Sequence, residues 1–291
     1  MLFFALMVSL SVHSSNCTDQ LFAWPDESTN KESQFEGIAY NPMHDTYFVV
    51  QEAIKSVDDK KKFNPNVFEI RFTTSDSIPV IQILESCPAH WDFDSDNKGF
   101  EGLEFIAHQH TKQSYLLGLC EANSCASKSA RRRASNPTGN GTLIVLEKKE
   151  ATSKKSCSWE PVGTISLPSS VQFNDYSSVS IYRRSSSTLP TYIAVTSQEN
   201  SQVWIGLIEE INDPPYFRVS SLQKTTVYDL PRATQVPDQC SIQYCNIEGV
   251  AWRGINQLIL VSDRSKTDQE AVCVDKDQSV HSFVLPEYLT D

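Results

Sequence analysis

The chain has 291 residues, 40% hydrophobic and 21% charged, which is the apolar content of a packed core rather than of a disordered chain. A formal net charge of −11, with no basic stripe, excludes nucleic acid as a natural partner, because nothing concentrates positive charge against phosphates. No hydrophobic run reaches the ~20 residues a membrane-spanning helix needs, so the mature chain is expected to carry no membrane span.

Met1 to Val12 is almost wholly apolar and too short to cross a bilayer; it reads as the core of a signal peptide, with cleavage near residues 13–16. The expected organisation is a leader over residues 1–15 and one domain over 16–291, in a secreted or secretory-lumen protein. Asn16-Cys17-Thr18 and Asn140-Gly141-Thr142 are glycosylation sequons and agree with that compartment. So do eight cysteines, an even number suited to disulfides. Their pairing is open. Cys120/Cys125 and Cys240/Cys245 share one spacing and read as local loop staples. Zinc is the weaker reading, since the gap is wide and no histidine lies close to either pair.

From Phe35 onward short β-rich runs alternate with clusters of Pro, Asn, Asp, Ser and Gly, and almost nothing has helical periodicity. One unit recurs: an acid and a glycine, a short apolar strand, a turn, a second apolar strand, and another acid. Phe35-Glu36-Gly37-Ile38-Ala39-Tyr40 leads to Glu52, and Phe100-Glu101-Gly102-Leu103-Glu104-Phe105 leads to Glu121. Ser177 to Tyr182 is a degenerate copy leading to Glu199, with Asp175 close by, and Asn246-Ile247-Glu248-Gly249-Val250-Ala251-Trp252 leads to Asp263-Arg264. Strands are expected near 37–42, 47–52, 66–73 and 79–86; 102–108, 114–121, 141–149 and 159–167; 178–184, 191–199, 201–210 and 217–230; and 249–254, 257–263 and 279–285. Four strands per unit predict an all-β fold, a small β-propeller with four blades favoured and five or six open. The last unit lacks a strand, which Gln20 to Trp24 would supply, closing the ring with the N-terminal strand and removing an exposed edge. Ser56–Asn66 with its three lysines, Ala122–Asn140 with Arg131-Arg132-Arg133, and Gln235–Ser241 read as solvated loops.

The first strand of a blade lines the channel and the second returns antiparallel, so the acid opening one and the acid closing the other share one end of the blade. Glu36, Glu52, Glu101, Glu121, Glu199, Glu248 and Asp263 are therefore expected to converge at one mouth. Like charges that close need a cation, shared protons or Lys and Arg partners. Calcium is the expected cofactor, because it takes six to eight oxygens with irregular geometry, and Asn123, Asn200 and Asn246 could add carbonyl ligands. The alternative is structural: an acid before Gly at a strand start accepts backbone N–H bonds and fixes the turn. Arg264 and Lys266 are either salt-bridge partners of the acids or contacts for an anionic substrate group. Asp92 to Gly99 imitates the start of an EF-hand loop but has Asn97 and Leu103 where Gly and Glu are required. His108 and His110 alternate like one face of a surface or half-buried strand. Elbow, zinc-protease, P-loop and dinucleotide motifs are absent.

The E-G-[IVL]-x-[YFW] opening with a strand ending in Glu or Asp-Arg resembles the esterase-like phytase group of propellers and the related SdiA-regulated propellers. Phe35–Glu52, Phe100–Asn123, Tyr176–Asn200 and Asn246–Arg264 bear the likeness. The resemblance implies a propeller, calcium near the channel mouth, and hydrolysis of phosphate or carboxylic esters; it extends more distantly to lactonase propellers. The D-A-x-D-D-P-A signature of established propeller phytases is missing, which argues against phytate. Two functions are expected. One is a metal-dependent hydrolase of a small ester or phosphoester with Glu121 or Glu199 as general base. The other is a calcium-stabilised module that binds an extracellular protein or glycan.

Overall fold

The computed structural model describes residues 24–25, 34–55, 63–75, 78–93, 99–121, 141–153, 155–183, 191–221, 226–236, 239–264, 273 and 278–285. Its sheets form a four-bladed β-propeller. The first blade is β1 (Phe35–Asn41), β2 (Thr46–Lys55), β3 (Phe63–Ser75) and β4 (Ile78–Pro88), paired antiparallel in chain order. The second repeats it with β5 (Phe100–Ala107), β6 (Ser114–Cys120), β7 (Thr142–Lys149) and β8 (Ser158–Ser166). In the third, β9 (Ser178–Tyr182), β10 (Thr191–Ser197) and β11 (Gln202–Glu210) are followed by β12 (Phe217–Val219) and β13 (Thr226–Asp229), which both pair with β11. The expected strand 217–230 is thus two. A hairpin, β14 (Arg232–Val236) with β15 (Gln239–Ile242), precedes the fourth blade of β16 (Ile247–Trp252), β17 (Gln257–Ser262) and β18 (Val280–Val284). The segment 235–241, expected as a loop, is therefore largely strand, and Phe63–Asn66 belongs to β3.

Side chains alternate along a strand, so each sheet offers one face to each neighbour. Phe48, Val50 and Val67 of the first blade mesh with Leu103, Leu116, Ile144 and Trp159 of the second. Leu117, Leu119 and Val145 meet Val179, Ile193 and Trp204 of the third, whose Tyr192, Ala194 and Val203 meet Leu258 and Leu260 of the fourth. The run Tyr115–Cys120 is buried throughout because both of its faces are covered. Near the axis the first strands touch backbone to backbone. A Cβ on Gly37 would lie 2.6 Å from the Leu103 nitrogen, and one on Gly102 would lie 2.9 Å from the Val179 nitrogen. At Gly37 and Gly102 the absence of a side chain permits that approach.

Cys87–Cys157 joins the last strand of the first blade to the approach of β8. Cys245 pairs with Cys273. The expected Cys240/Cys245 staple is thereby corrected: Cys245 is bonded to Cys273, which falls between β17 and β18 along the chain. Cys120 is also disulfide-bonded. Both sequon asparagines, Lys266 and Gln20–Ala23 lie outside the described residues. Trp24 packs on the first blade, 4.4 Å from Phe35 and 5.3 Å from Phe68 between ring centroids.

Candidate functional site at the channel mouth

The register defines the mouth. Gly37 faces Val50, Gly102 faces Leu119 and Gly249 faces Val261. In each blade one acid precedes the glycine and the other lies two residues past its partner. The first acid of each pair sits on a register shift, between Phe35 and Gly37, Phe100 and Gly102, or Ile247 and Gly249. Such bulges re-aim a side chain relative to the flat ladder. The second acid closes the blade through its main chain: Glu52 N donates to Gln34 O (2.7 Å), Glu121 N to Gly99 O (3.4 Å) and Asp263 N to Asn246 O (2.8 Å).

Six carboxylates share this end. Burial, then the charges of Glu52, Glu248, Asp263 and Glu121, push the Glu36 carboxyl up to about 8. Burial, then Glu36, Glu52, Glu121 and Glu248, hold Glu101 well above the ordinary range. Both effects disfavour the charged form, so Glu36 holds its proton near neutrality and Glu101 is driven in the same direction.

The third blade breaks the pattern. Ser178 faces Thr196, so the position two residues on is Gln198, not Glu199. Glu199 therefore lies one residue beyond the position that the register of the other blades gives to the second acid. Asp175 is structural: its carboxylate accepts from Gln198 N and Glu199 N, both at 3.1 Å, and from Ser197 Oγ. Ser177, at the first-acid position, donates through Oγ to Ile247 O (2.6 Å) and ties the third blade to the fourth. The two acid positions of the repeat are thus taken by Ser177 and Gln198 in the third blade.

The donor set suits a hard cation. Besides the carboxylates, the Oε1 atoms of Gln51 and Gln198, each next to a second-acid position or on one, are buried without a hydrogen-bond donor. Among the described residues, however, the one group of three potential ligand atoms within 4.8 Å of one another is Glu85, Cys87 and Cys157, whose sulfurs are bonded to each other. An ion at the mouth would draw the carboxylates inward or be reached in part through water. Asn246 Nδ2 donates to Arg264 O (3.4 Å), and the Arg264 side chain is exposed. Asn200 Oδ1 accepts from Asn174 N (2.8 Å) and is committed to the loop beside Asp175. Asp92 accepts from Asn64 Nδ2 (3.1 Å) and Phe93 is buried, so this part of the EF-like segment is pinned to the first blade.

A second charged group lies further along the channel and was not read from the sequence. Glu104 reaches from β5 to the free edge of β9, accepting from Ile181 N (2.9 Å) and Phe105 N (3.0 Å). Burial raises its carboxyl to about 7, offset by those N–H groups, Ser180 and Arg183. Arg183 donates to Ala107 O and stands 3.9 Å from Glu210, whose carboxylate accepts from Gln109 N. His108 is fully buried here just past the end of β5, its Nε2 3.3 Å from Ile211 O, rather than lying on a surface or half-buried strand. The signal available was the second glutamate of Glu101-Gly102-Leu103-Glu104, which only this unit has.

No protein-family model and no curated protein matches the chain. Among solved structures, the chain is similar to Sqt1 from Chaetomium thermophilum at 12% identity and a TM-score of 0.36, over 79% of this chain and 42% of that one. It is also similar to the periplasmic gluconolactonase PpgL from Pseudomonas aeruginosa, at 13% identity and a TM-score of 0.36, over 86% of this chain and 88% of that one. The chain thus spans less than half of the Sqt1 structure.

Proposed function

We propose that the channel mouth binds calcium and that the protein is a secreted, metal-dependent hydrolase of phosphate or carboxylic esters. The supporting observation is the set of six carboxylates from three blades sharing one end of the channel, two of them driven toward the neutral form by burial and by the others. Glu36, Glu52, Glu101, Glu121, Glu248 and Asp263 are the residues that would hold the ion. Calcium, when bound, would supply a Lewis acid for a phosphoryl or carbonyl oxygen. Glu121 is the general base in this reading: it is half-buried at the end of β6, whereas the Glu36 carboxyl is pushed up to about 8 and Glu101 is shifted in the same direction, which favours their protonated forms. Arg264, exposed beside Asp263, would meet an anionic group of the substrate.

A non-catalytic module that binds a glycan or protein is the second reading. It is favoured by an open, polar hollow of about 370 Å³ lined by Ser169, Ser170, Gln172, Phe173, Gln202 and Val227, apart from the acids. One experiment separates the two. Calorimetric titration with calcium is followed by assay against aryl esters, lactones and phosphomonoesters, with Glu121→Gln and Asp263→Asn. The hydrolase requires calcium binding with turnover that Glu121→Gln abolishes. Binding without turnover on the panel selects the module. No calcium binding at millimolar concentration rejects the cation site itself.

A further inference from the structure

The third blade enters the mouth between acids of its two neighbours. A Cβ on Gly102, which follows Glu101, would lie 3.2 Å from Ser178 Cα. Ser177 Oγ donates to the carbonyl of Ile247, which precedes Glu248 (2.6 Å). Ser177 N in turn donates to Thr196 O (3.0 Å), two residues before Gln198. The main chain shows that Gln198 is the equivalent of the second acids. In the other blades the N–H of the second acid donates to the carbonyl two residues before the first acid: Gln34 for Glu52, Gly99 for Glu121 and Asn246 for Asp263. Gln198 N donates to Asp175, again two residues before the first-acid position, with carboxylate Oδ2 in place of the carbonyl (3.1 Å). A closure made in the same way starts the side chain from the same place in each blade.

The course of such a side chain is visible at Glu52. A Cβ on Gly99 would lie 2.2 Å from Glu52 Cγ and 3.2 Å from its Oε1, so Glu52 runs across the entry to the second blade, two residues before Glu101. The same step taken from the third blade carries Gln198 toward Asn246, two residues before Glu248. Gln198 Oε1 is buried and accepts no hydrogen bond among the described residues. A buried amide oxygen without a donor is costly, and a cation satisfies it as well as a donor does. Gln51 Oε1 shares that condition, but Gln51 pairs with Phe35 and Asn66 inside the ladder, one residue short of the closing position. Glu199, one residue past that position, is exposed.

We infer that Gln198 is the third blade's ligand for the ion at the mouth, its Oε1 joining Glu52, Glu121 and Asp263 so that each blade contributes one oxygen from the same position. The inference rests on the calcium reading of the mouth and adds to it a neutral ligand outside the acidic repeat. An amide carbonyl is a hard oxygen of the kind calcium accepts. It adds a ligand without adding a like charge to six carboxylates that already repel one another. Gln198 also sets selectivity, because a site with one neutral position favours a divalent ion over a trivalent one more than a fully acidic site does.

The test is titration of the full chain with calcium and with terbium, for the parent, Gln198→Ala, Gln198→Glu and Glu199→Gln, with melts of each in calcium and in chelator. Gln198→Ala should weaken calcium by at least about tenfold and shrink the gain in Tm that calcium confers. Gln198→Glu should shift the preference toward terbium, since it adds a charged ligand. Glu199→Gln should leave calcium affinity within about threefold, as expected of a screened surface charge. A parent that binds calcium while Gln198→Ala binds it equally well would overturn the inference and leave the calcium reading standing. A parent that binds no calcium would end both. If Gln198→Ala lowers Tm by the same amount in chelator and in calcium, Gln198 is a structural residue and the inference fails. It fails also if Gln198→Glu leaves the terbium preference unchanged.

Discussion

A glycine and a carboxylate, side by side, do separate jobs in this propeller. Glu36 and Glu101 are aimed by a register shift, whereas Gly37 and Gly102 let two first strands approach at backbone contact. Gly37→Ala and Gly102→Ala should each cost about 1–3 kcal/mol, since the added methyl meets backbone that cannot step aside. Gly249→Ala, whose methyl would meet Val261 Cβ at 3.3 Å and, among the described residues, no neighbouring blade, should change stability by less than about 1 kcal/mol. Urea denaturation of the three variants checks this; equal losses at all three positions would show that the contact between blades is not the cause. The repeated dipeptide was legible in the sequence as a recurring residue pair, although the close approach between blades is seen at Gly37 and Gly102 and, among the described residues, not at Gly249. Gln198 was not. Spacing along the chain picked out Glu199 as an acid at the right distance, but the third unit has no bulge and pairs Ser178 with Thr196, so the count falls one residue short. Glu104 was equally hidden, because its role depends on the N–H of Ile181, in another blade.

At the scale of elements, the strands were legible wherever two covered faces impose a continuous apolar run, as in Tyr115–Cys120. They were illegible where pairing is short and local. The β14–β15 hairpin spans a Pro-Asp pair and reads as a loop by composition, although its backbone pairs Arg232 with Ile242 and Thr234 with Cys240. Covalent links followed tertiary position rather than proximity in sequence, since Cys87 reaches Cys157 at a separation of 70 residues. This bond reinforces a junction that Phe48, Leu116 and Trp159 already pack. The double variant Cys87→Ser/Cys157→Ser should therefore fold but lose about 2–4 kcal/mol. Differential scanning calorimetry would register the lower Tm, and calcium titration should return the same affinity as the parent chain. A variant that lost calcium binding while still folded would mean the mouth depends on this distant staple.

For the whole molecule, the decisive quantity is the cost of gathering six carboxylates at one end of a channel. The Glu36 carboxyl rises from 4.5 to about 8, and Glu101 shifts in the same direction. Between those two values the native protein holds a proton that the unfolded chain has released. The native state binds more protons, so the stability contributed by the group is complete below pH 4.5 and declines as pH rises through 8. Glu104, raised to about 7, adds to the same decline. Glu209 and Asp229, lowered by Ser220 and Gln202 respectively, act below their ordinary values and fall outside this window. In chelator, Tm should therefore fall from pH 5 to pH 8. A cation that binds the ionised carboxylates stabilises the native state more as pH rises, so with calcium the decline should flatten or reverse. Glu36→Gln removes one titrating group and one repelling charge. It should raise Tm in chelator at pH 8, reduce the slope, and weaken calcium binding. Melting curves at five pH values, with calcium or chelator, for the parent chain and this variant supply the test. If Tm in chelator rises steadily from pH 5 to pH 8, the carboxylates are ionised together at no cost, and neither the crowding argument nor the cation site drawn from it survives.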